Sequence, residues 1–547
     1  MVCLKYKSRD FICLKKSVLL TLVYSLIITF VLLMVDKVYS LNNEYFLFEF
    51  TQKEFVNKIF IAVLLISVIP SKKIRLGIYF TLLLVSFFQL VHFEYFGKNI
   101  SAIEFYLFAT NVGETFETLK TMINMIYIPL IIILFAFMII YIVELIFGNK
   151  VFKFKYGLHI IMIILLFLSS KVFYMTNIKT SKLTDRQSKY LYPTVNRLSS
   201  RNFYVSLNYF LLGVIPKKVF NNESKYKTLK KPLLLKSNLN RTVILIIGES
   251  LRYDTFALDN NKLTPKLQSL KEDNKFHFKK VYAGGTMTKV SVSVLINRLK
   301  HPEGLMQINN EDNCLFKLAK ENNIDTNFIS AQHSKHLPMI RDMICPKYID
   351  SLITRSDFSK YIKEGGYDND LKTILKERDI LNKGNLIVLQ HRGSHSPYKT
   401  RYPADFDRYS PYENTALFTD TSLYDLIKYI DNEATQETYI FYVSDHGELL
   451  GENGKNGHGH LEKNVYEVPF LMYTNSKSKE TKEIFSNIRS HYDISNYIIH
   501  LLGYKADMPS GADREIYIMN SDLDGFSGYG KIKIVDGIET DIELLRN

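Results

Sequence analysis

Long apolar runs near the start of the chain are the feature that most restricts its fold. Residues 18–35 form an almost uninterrupted apolar run that is long enough to cross a bilayer. Similar runs follow it, and we expect five transmembrane helices, at residues 18–35, 55–69, 76–93, 126–143 and 158–174. The second run is the shortest, and a re-entrant or interfacial segment is the alternative for it. No small-residue cleavage site follows the first run, which favours an anchor over a removed signal peptide.

The charges of the short loops predict the orientation of these helices. Loops 36–54 and 94–121 carry several acids and few bases. Basic residues instead lie between runs two and three and between runs four and five: Lys72, Lys73, Arg75, Lys150, Lys153 and Lys155. The positive-inside rule therefore places the N-terminus in the cytoplasm. With five spans the chain beyond about residue 175 lies outside, and an even number of spans would reverse this.

Length and charge restrict the partners. A chain of 547 residues needs more than one domain, and its formal net charge of +14 indicates an anionic partner. We find no helix-turn-helix, zinc-finger or RNA-binding signature, which argues against nucleic acid. An anionic lipid surface suits the apolar N-terminal part better. We predict a transmembrane domain over residues 1–175, a linker over 176–240 and a catalytic domain over 241–547.

The linker contains one apolar segment at residues 203–215. It fits an amphipathic helix on the membrane surface or a helix packed on the soluble domain. From residue 241 onward, short apolar segments alternate with polar helical stretches, which is typical of an α/β domain with a parallel or mixed sheet. The four strand candidates are residues 243–247, 386–389, 439–443 and 468–473. The first is rich in β-branched residues, as expected of a strand buried on both faces.

Polar residues follow three of these strands directly. Glu249 follows the first, Asp445 and His446 follow the third, and His395 lies shortly after the strand at 386–389. If these strands are neighbours, the side chains converge on the edge where open α/β sheets bind ligands. Carboxylate oxygens and an imidazole nitrogen suit Zn²⁺, with Mn²⁺ as the less favoured ion. Each motif alone would also fit a cap or a hydrogen-bonded polar pair.

Two loops could complete a site. Residues 283–291 contain two glycines followed by Thr286 and Thr288, which indicates a turn into a helix N-terminus that attracts a phosphoryl oxygen. A hydroxyl there becomes a good nucleophile only beside a metal or a base, and an ordinary helix cap is the alternative for either threonine. The Gly/Asn-rich loop 451–460 carries His458 and His460, which could contact a metal or substrate oxygens, or simply be solvated.

The four cysteines do not form the framework of a small secreted protein. Cys3 and Cys13 precede the first apolar run, whereas Cys314 and Cys345 lie far beyond the last. Cys314 and Cys345 could pair if their domain is exported. Two separate buried thiols are the alternative.

The order of spans and motifs resembles the membrane-anchored phosphoethanolamine transferases of Gram-negative bacteria, which modify lipid A and confer polymyxin resistance. The resemblance rests on residues 247–252, 285–288, 393–397, 444–448 and 451–454, of which Ser-Asp-His-Gly-Glu at 444–448 is the most specific. It implies an N-terminal α-helical membrane domain in the bacterial inner membrane. It further implies a periplasmic α/β domain of the alkaline phosphatase and sulfatase superfamily, with a mixed central sheet.

The resemblance also implies roles for individual residues. Zinc would be held by Glu249, Thr288, Asp445 and His446, with Thr288 as the nucleophile. His395 and His458 would contact the phosphoethanolamine group or a second zinc. His460 has no counterpart. Two departures bear on the acceptor: cysteines that bracket the nucleophile in many members are replaced by Gly284 and Val294, and residues 330–335 lack the acidic, cysteine-bearing pattern of lipid A enzymes.

The implied activity is transfer of phosphoethanolamine from phosphatidylethanolamine to lipid A, lipopolysaccharide or another envelope acceptor. A covalent phosphoethanolamine–threonine intermediate would carry the group. The nearest rival is a phosphoglycerol transferase of the same superfamily. A sulfatase or phosphodiesterase is less favoured, because Thr288 cannot become the formylglycine of sulfatases. A non-catalytic, membrane-anchored binding protein is the rival from another class.

Overall fold

The chain divides into two compact units. A computed structural model describes residues 2–43, 46, 48, 53–97, 99–110, 122–177, 198–215, 226–237, 239–259, 262–334, 340, 343–362, 365–476, 480–511, 513–523 and 527–545. Residues 1–109, 119–222 and 451–456 form a helical unit, and residues 110–118, 223–450 and 457–547 form an α/β unit. The predicted boundaries after residues 175 and 240 stay predictions.

The helical unit contains seven α-helices in its described part. They are α1 (Val2–Asn42), α2 (Lys53–Ser67), α3 (Lys72–Phe96), α4 (Ala102–Thr110), α5 (Tyr127–Phe147), α6 (Gly157–Asn177) and α7 (Ser199–Tyr209). A 3₁₀ turn at Met122–Met125 precedes α5, and a π-helical turn at Phe210–Val214 follows α7.

Three stretches of these helices are long and apolar enough to cross a membrane: Lys16–Asn42, Lys72–Phe96 and Tyr127–Phe147. Within α2 and α6, the described apolar stretches are Val56–Ser67 and Gly157–Ser170. Each of these two stretches is shorter than a helix that crosses a membrane. The five-span arrangement is therefore not confirmed. The spans at 55–69 and 158–174 stay predictions, and so does the orientation that depends on their number.

A buried ion pair joins three helices of this unit. The Arg75 guanidinium of α3 pairs with Glu144 of α5, and both side chains are fully buried. Tyr24 of α1 donates to the other Glu144 oxygen at 2.6 Å, and Arg75 also donates to the Gly148 carbonyl at 2.8 Å. Charges removed from water persist only when they are paired in this way. Arg75, which the sequence analysis counted among the basic residues between two spans, is thus buried within α3 and is part of the helix packing.

The apolar segment at 203–215 forms α7 and the turn that follows it. The helix packs against α3 and α6 within the helical unit. Its first residue, Ser199, donates to the Asp36 carboxylate of α1 through its backbone N–H at 2.8 Å and its hydroxyl at 2.5 Å. Asp36 therefore supplies a cap from another helix, and the start of α7 is fixed to α1.

The α/β unit is built on a seven-stranded mixed sheet, which confirms the predicted fold class of this part. Its strands are β1 (Arg241–Gly248), β2 (Phe276–Tyr282), β3 (Asp325–Ser330), β4 (Ser351–Thr354), β5 (Asn385–Gln390), β6 (Glu437–Ser444) and β7 (Glu467–Thr474). The order across the sheet is β2-β7-β6-β1-β5-β3-β4. The five neighbouring strands β6, β1, β5, β3 and β4 are parallel to one another. Strand β7 is antiparallel to both of its neighbours, β6 and β2. The four predicted strands coincide with β1, β5, β6 and β7.

Helices cover both faces of this sheet. They are α8 (Tyr253–Phe256), α9 (Pro265–Gln268), α10 (Thr288–Asn297), α11 (Leu305–Asn310), α12 (Leu315–Glu321), α13 (Asp370–Arg378), α14 (Pro411–Glu433), α15 (Lys463–Tyr466), α16 (Glu480–Asn487) and α17 (His491–Leu501). Alternate residues of β1 enter two different apolar clusters: Val243, Leu245 and Ile247 on one side, and Ile244 and Ile246 on the other. The central strand is therefore buried on both faces, as its composition predicted.

A second, smaller sheet ends the chain. It is antiparallel and contains β8 (Arg514–Met519), β9 (Tyr529–Val535), β10 (Ile538–Glu539) and β11 (Glu543–Leu545). Nothing in the sequence analysis anticipated this sheet.

Cys314 and Cys345 form a disulfide bond in the core of the α/β unit, so the first of the two sequence alternatives is observed. Their Cα atoms are 6.8 Å apart, and both residues are buried. Disulfides persist mainly in oxidising compartments, which is consistent with an exported domain.

We predict that Gly284→Ala destabilises the α/β unit by about 1–3 kcal/mol, because it overpacks a filled site. A Cβ at this position would lie 2.5–2.7 Å from three side-chain atoms of Val294, which is itself buried. Urea unfolding of the detergent-purified chain measures the change. Gly511→Ala is the control, since only Asn487 Oδ1, at 3.9 Å, lies near that position. Adding Val294→Ala should restore part of the loss, and unchanged stability in the single variant would contradict the packing argument.

Candidate metal centre

The register of the central strands brings Glu249, Asp445 and His446 to one edge of the sheet. Gly248 at the end of β1 pairs with Ser444 at the end of β6. The next residues along each strand are Glu249 and Asp445, so their side chains emerge side by side. One ligand atom from each of the three residues lies within 4.8 Å of the others, and all three residues are buried. The convergence expected from the sequence is therefore observed.

Thr288 lies beside this triad. Its Oγ1 is 3.3 Å from both carboxylate oxygens of Glu249 and 3.2 Å from Nε2 of His446. Thr288 is the first residue of α10, and the cap position belongs to Met287, which makes no side-chain capping bond. The helix-cap alternative for Thr288 is therefore wrong, and its hydroxyl is directed to the triad.

The His446 ring is oriented so that its Nε2 atom faces Glu249, Asp445 and Thr288. Its Nδ1 lies 2.8 Å from the Gly447 carbonyl oxygen, and a carbonyl only accepts, so Nδ1 carries the proton. Nε2 then faces the site, 3.3 Å from Asp445 Oδ2 and 3.7 Å from Glu249 Oε1. A backbone carbonyl that fixes the tautomer in this way is common for metal-binding histidines.

Backbone and hydroxyl donors hold the two carboxylates. Asp445 Oδ1 accepts from the backbone N–H of Ser250 at 3.0 Å and of His446 at 2.7 Å. The Ser250 hydroxyl donates to Glu249 Oε1 at 3.0 Å. Ser250 has a φ of 56°, a conformation that is uncommon for a residue with a Cβ and that often occurs at functional sites. The geometry of the turn after β1 is therefore tied to the position of Asp445.

The buried carboxyl groups at this edge of the sheet favour the binding of a cation. Burial raises the pKa of the nearby Glu448 carboxyl to about 8, against a hydrogen bond to Tyr398, and the charges of Glu249 and Asp445 add to the increase. Two further carboxylates in a buried space need a positive partner. A divalent cation fits the donor set of two carboxylates, one imidazole nitrogen and one hydroxyl.

Two more histidines line the site. The His458 ring lies between the rings of His446 and His395, with centroid distances of 4.5 Å and 5.4 Å. The loop that carries His395 rests on the backbone of Glu249, where Ser394 N–H donates to the Glu249 carbonyl at 2.8 Å. The structure thus places the two predicted substrate-binding histidines next to the triad.

Thr286, His391 and His460 lie outside the triad. Thr286 donates its hydroxyl to Asn520 Oδ1 at 2.8 Å, so the first threonine of the loop is held by the C-terminal segment. His391 is buried near Asp368, with 3.7 Å between Nδ1 and Oδ2, and its ring lies against Tyr442. His460 is buried as well.

The sequence analysis missed His491, which connects two loops of the site. This residue begins α17, where Nδ1 accepts from Gly284 N–H at 3.1 Å and Nε2 lies 3.1 Å from the Ser444 carbonyl oxygen. Burial lowers the pKa of His491 to about 3, so the ring is neutral at physiological pH. It is more than 40 residues from Ser444 and 200 residues from Gly284, and no local pattern marks it.

Comparison with known proteins identifies one matching family and several relatives of this chain. Residues 241–504 match the sulfatase family. Over 288 residues the chain is 26% identical to phosphoethanolamine transferase EptA of Helicobacter pylori, covering 46% of this chain and 51% of that one. Over 300 residues it is 24% identical to phosphatidylethanolamine transferase Mcr-1 of Escherichia coli, covering 49% and 54%. The chain spans about half the length of the curated relatives that it matches.

One solved structure is similar over nearly the whole chain. The integral membrane lipooligosaccharide phosphoethanolamine transferase A of Neisseria meningitidis aligns with 90% of this chain and 96% of its own, with a TM-score of 0.56. Its sequence identity is 17%, so this likeness shows a shared fold.

We predict that acid destabilises the wild type more than His491→Gln. The folded-state pKa of His491 lies below the ordinary value of about 6.5, so its contribution to stability is complete above that pH and is lost as the pH falls toward 3. The loss is at most about 1.4 kcal/mol per pH unit. Urea unfolding at several pH values, with a chelator present throughout, measures the difference. His333→Gln is the control, and parallel pH profiles for wild type and His491→Gln would contradict the assignment.

Proposed function

Because residues 241–504 form a sulfatase-family domain on a chain that resembles the membrane-anchored phosphoethanolamine transferases, we propose that the protein transfers phosphoethanolamine from phosphatidylethanolamine to an acceptor of the cell envelope. Lipid A or the lipopolysaccharide core is the acceptor class we favour. The observation that carries the proposal is the Thr288 hydroxyl, buried and within 3.3 Å of Glu249 and His446.

In this proposal a metal ion is held by Glu249, Thr288, Asp445 and His446. Zn²⁺ suits the small, mixed oxygen and nitrogen donor set best, and Mn²⁺ is the second choice. When bound, the ion would lower the pKa of the threonine hydroxyl and neutralise charge on the phosphoryl oxygens. The hydrogen bond from His446 Nδ1 to the Gly447 carbonyl supports this set, because it leaves Nε2 facing the other three residues.

The reaction takes place in two displacements at phosphorus. Thr288 Oγ1 bonds to the phosphorus of the donor and loses its proton, while the bond to the diacylglycerol oxygen breaks and that oxygen takes up a proton. In the second step an acceptor hydroxyl oxygen bonds to phosphorus and loses its proton, while the bond to Thr288 breaks and Oγ1 takes up a proton, which regenerates the hydroxyl. His395 and His458 would contact the phosphoryl and leaving oxygens, and the N-terminus of α10 favours the negative charge there.

The location of the enzyme follows from its donor, which carries two acyl chains and stays in the bilayer. We propose that residues 1–175 anchor the protein in the bacterial inner membrane, that 176–240 form a linker, and that 241–547 act in the periplasm with the N-terminus cytoplasmic. The three long apolar stretches support the anchor. The disulfide between Cys314 and Cys345 supports the oxidising side of the membrane.

Thr288→Ala should abolish transfer and leave the fold intact, because the variant loses the nucleophilic oxygen and only one methyl group besides. Intact-mass analysis should find a phosphoethanolamine adduct on the wild type after incubation with donor lipid, and none on the variant. Thr288→Ser should retain activity. Ser293→Ala is the matched control on the same helix, since that hydroxyl only donates to the Lys289 carbonyl. Wild-type transfer by Thr288→Ala would remove Thr288 from its role.

Metal content should depend on the triad and not on the two outer histidines. Asp445→Asn and His446→Gln should each lose bound metal, since each removes a ligand, with a fall in affinity of about 10-fold or more. His458→Gln should keep its metal and lose transfer. Elemental analysis of the purified variants measures this, and a wild type that binds neither zinc nor manganese would count against the proposed site.

Labelled donor lipids test the substrate separately. Transfer of label from the ethanolamine head group supports the proposal, whereas transfer from phosphatidylglycerol would favour the phosphoglycerol rival. Mass spectrometry of lipopolysaccharide from cells with and without the protein then identifies the acceptor.

A further inference from the structure

A segment at the start of the α/β unit lies extended on its surface and presents three consecutive leucines to solvent. Leu235 and Lys236 both donate their backbone N–H to the Gly503 carbonyl, at 2.8 Å and 3.0 Å. Lys505 N–H donates to the Leu233 carbonyl at 2.8 Å, and Asn322 Nδ2 donates to the Lys236 carbonyl at 3.0 Å. The backbone of the segment is therefore fixed to the domain.

A glycine permits this close docking. Gly503 has a φ of +93°, a conformation that favours glycine, and a Cβ at this position would overlap the Lys236 carbonyl oxygen. The segment is thus held where a larger residue would push it away.

The fixed backbone leaves the leucine side chains uncovered. Leu233, Leu234 and Leu235 are 66%, 40% and 61% exposed. A single exposed leucine is ordinary. In an extended segment alternate residues face the same side, so Leu233 and Leu235, the two most exposed of the three, form an apolar pair on an anchored backbone, and an exposed apolar group of this kind often marks an interaction site.

Lysines surround these leucines. Lys230 and Lys231 precede them, Lys236 follows them, and Lys505 lies beside Leu233 through its backbone bond; all four are exposed. Lys231 pairs with Glu321 at 2.7 Å, and residues 226–237 contain no acid. We call Leu233, Leu234 and Leu235 together with these four lysines the leucine–lysine patch.

We propose that the leucine–lysine patch binds an anionic lipid surface, with the leucines entering the apolar boundary and the ammonium groups contacting lipid phosphates. Apolar side chains flanked by lysines are the combination that binds such a surface. Along the chain, the apolar helical unit ends at residue 222, so only residues 223–225 lie between it and residue 226. The lysines match the negative charge of the lipid phosphates and the leucines match the apolar boundary beneath them, so lipid is the occupant that the patch fits. The proposal does not depend on the proposed activity.

Fluorescence of the full-length chain in lipid nanodiscs tests this. Cysteines introduced as Leu233→Cys or Leu235→Cys, in a Cys3→Ser/Cys13→Ser background, carry an environment-sensitive dye. Ile538→Cys is the control, because Ile538 is 72% exposed in β10 of the same unit. The discs contain phosphatidylethanolamine with or without phosphatidylglycerol, and a nitroxide-labelled lipid serves as quencher.

The expected result is a blue shift and loss of emission by lipid quenching at positions 233 and 235, with neither at 538. Both effects should increase with phosphatidylglycerol and decrease at high salt, since salt screens the lysines. Lys230→Gln/Lys231→Gln/Lys236→Gln should remove the phosphatidylglycerol dependence, whereas Lys376→Gln/Lys383→Gln should not. Equal quenching at 233, 235 and 538 would overturn the proposal. A blue shift without lipid quenching would also overturn it, because a protein surface would then cover the patch.

Discussion

The parallel pairing of β1 with β6 and β5 is the constraint on which the rest of the site depends. It sets the register, with Gly248 beside Ser444 and Ile247 beside Gln390, so three strands end at the same edge. A slip of one residue between β1 and β6 would move Asp445 by about 3.3 Å and reverse the face of every side chain. The register is secured by burial: alternate residues of β1 fill apolar clusters on both faces of the sheet, and a slip would disrupt both.

The same arrangement creates an electrostatic problem that explains the surroundings of the site. Glu249 and Asp445 lie side by side in a buried space, and Glu448 adds a third carboxyl whose pKa burial raises to about 8. Uncharged donors contact both carboxylates. Two backbone N–H groups donate to Asp445, and the Ser250 hydroxyl donates to Glu249. These donors orient the carboxylates but leave their charge in place, which supports the metal site that we propose.

The sequence alone predicted the parts of the fold and of the site that depend on local residue patterns. Apolar runs predicted the four central strands, and polar residues just beyond them predicted that Glu249, Asp445 and His446 would meet. His491 and Asn520 were missed because each acts across a long stretch of chain, on Gly284 and on Thr286. The role of Arg75 was missed because a basic residue beside a span fits a loop charge, while its buried partner, Glu144, is 69 residues away. Long-range polar pairs have no period, and only the folded chain reveals them.

The loop that carries Thr288 shows how such pairs can replace a covalent link. Many members of the transferase family that the chain resembles have cysteines that bracket the nucleophile, whereas this chain has Gly284 and Val294 at those positions, packed close together. Separate elements hold the loop instead. His491 accepts from Gly284 N–H, Met519 exchanges backbone bonds with Gly284 and Thr286, and Gly459 N–H donates to the Thr286 carbonyl. Met519 is the last residue of β8, and Gly459 adjoins His458 in the loop 451–460. The small C-terminal sheet and this loop therefore both help to fix the position of Thr288. The C-terminal sheet, which lies beyond the residues that match the sulfatase family, is therefore part of the catalytic architecture that we propose.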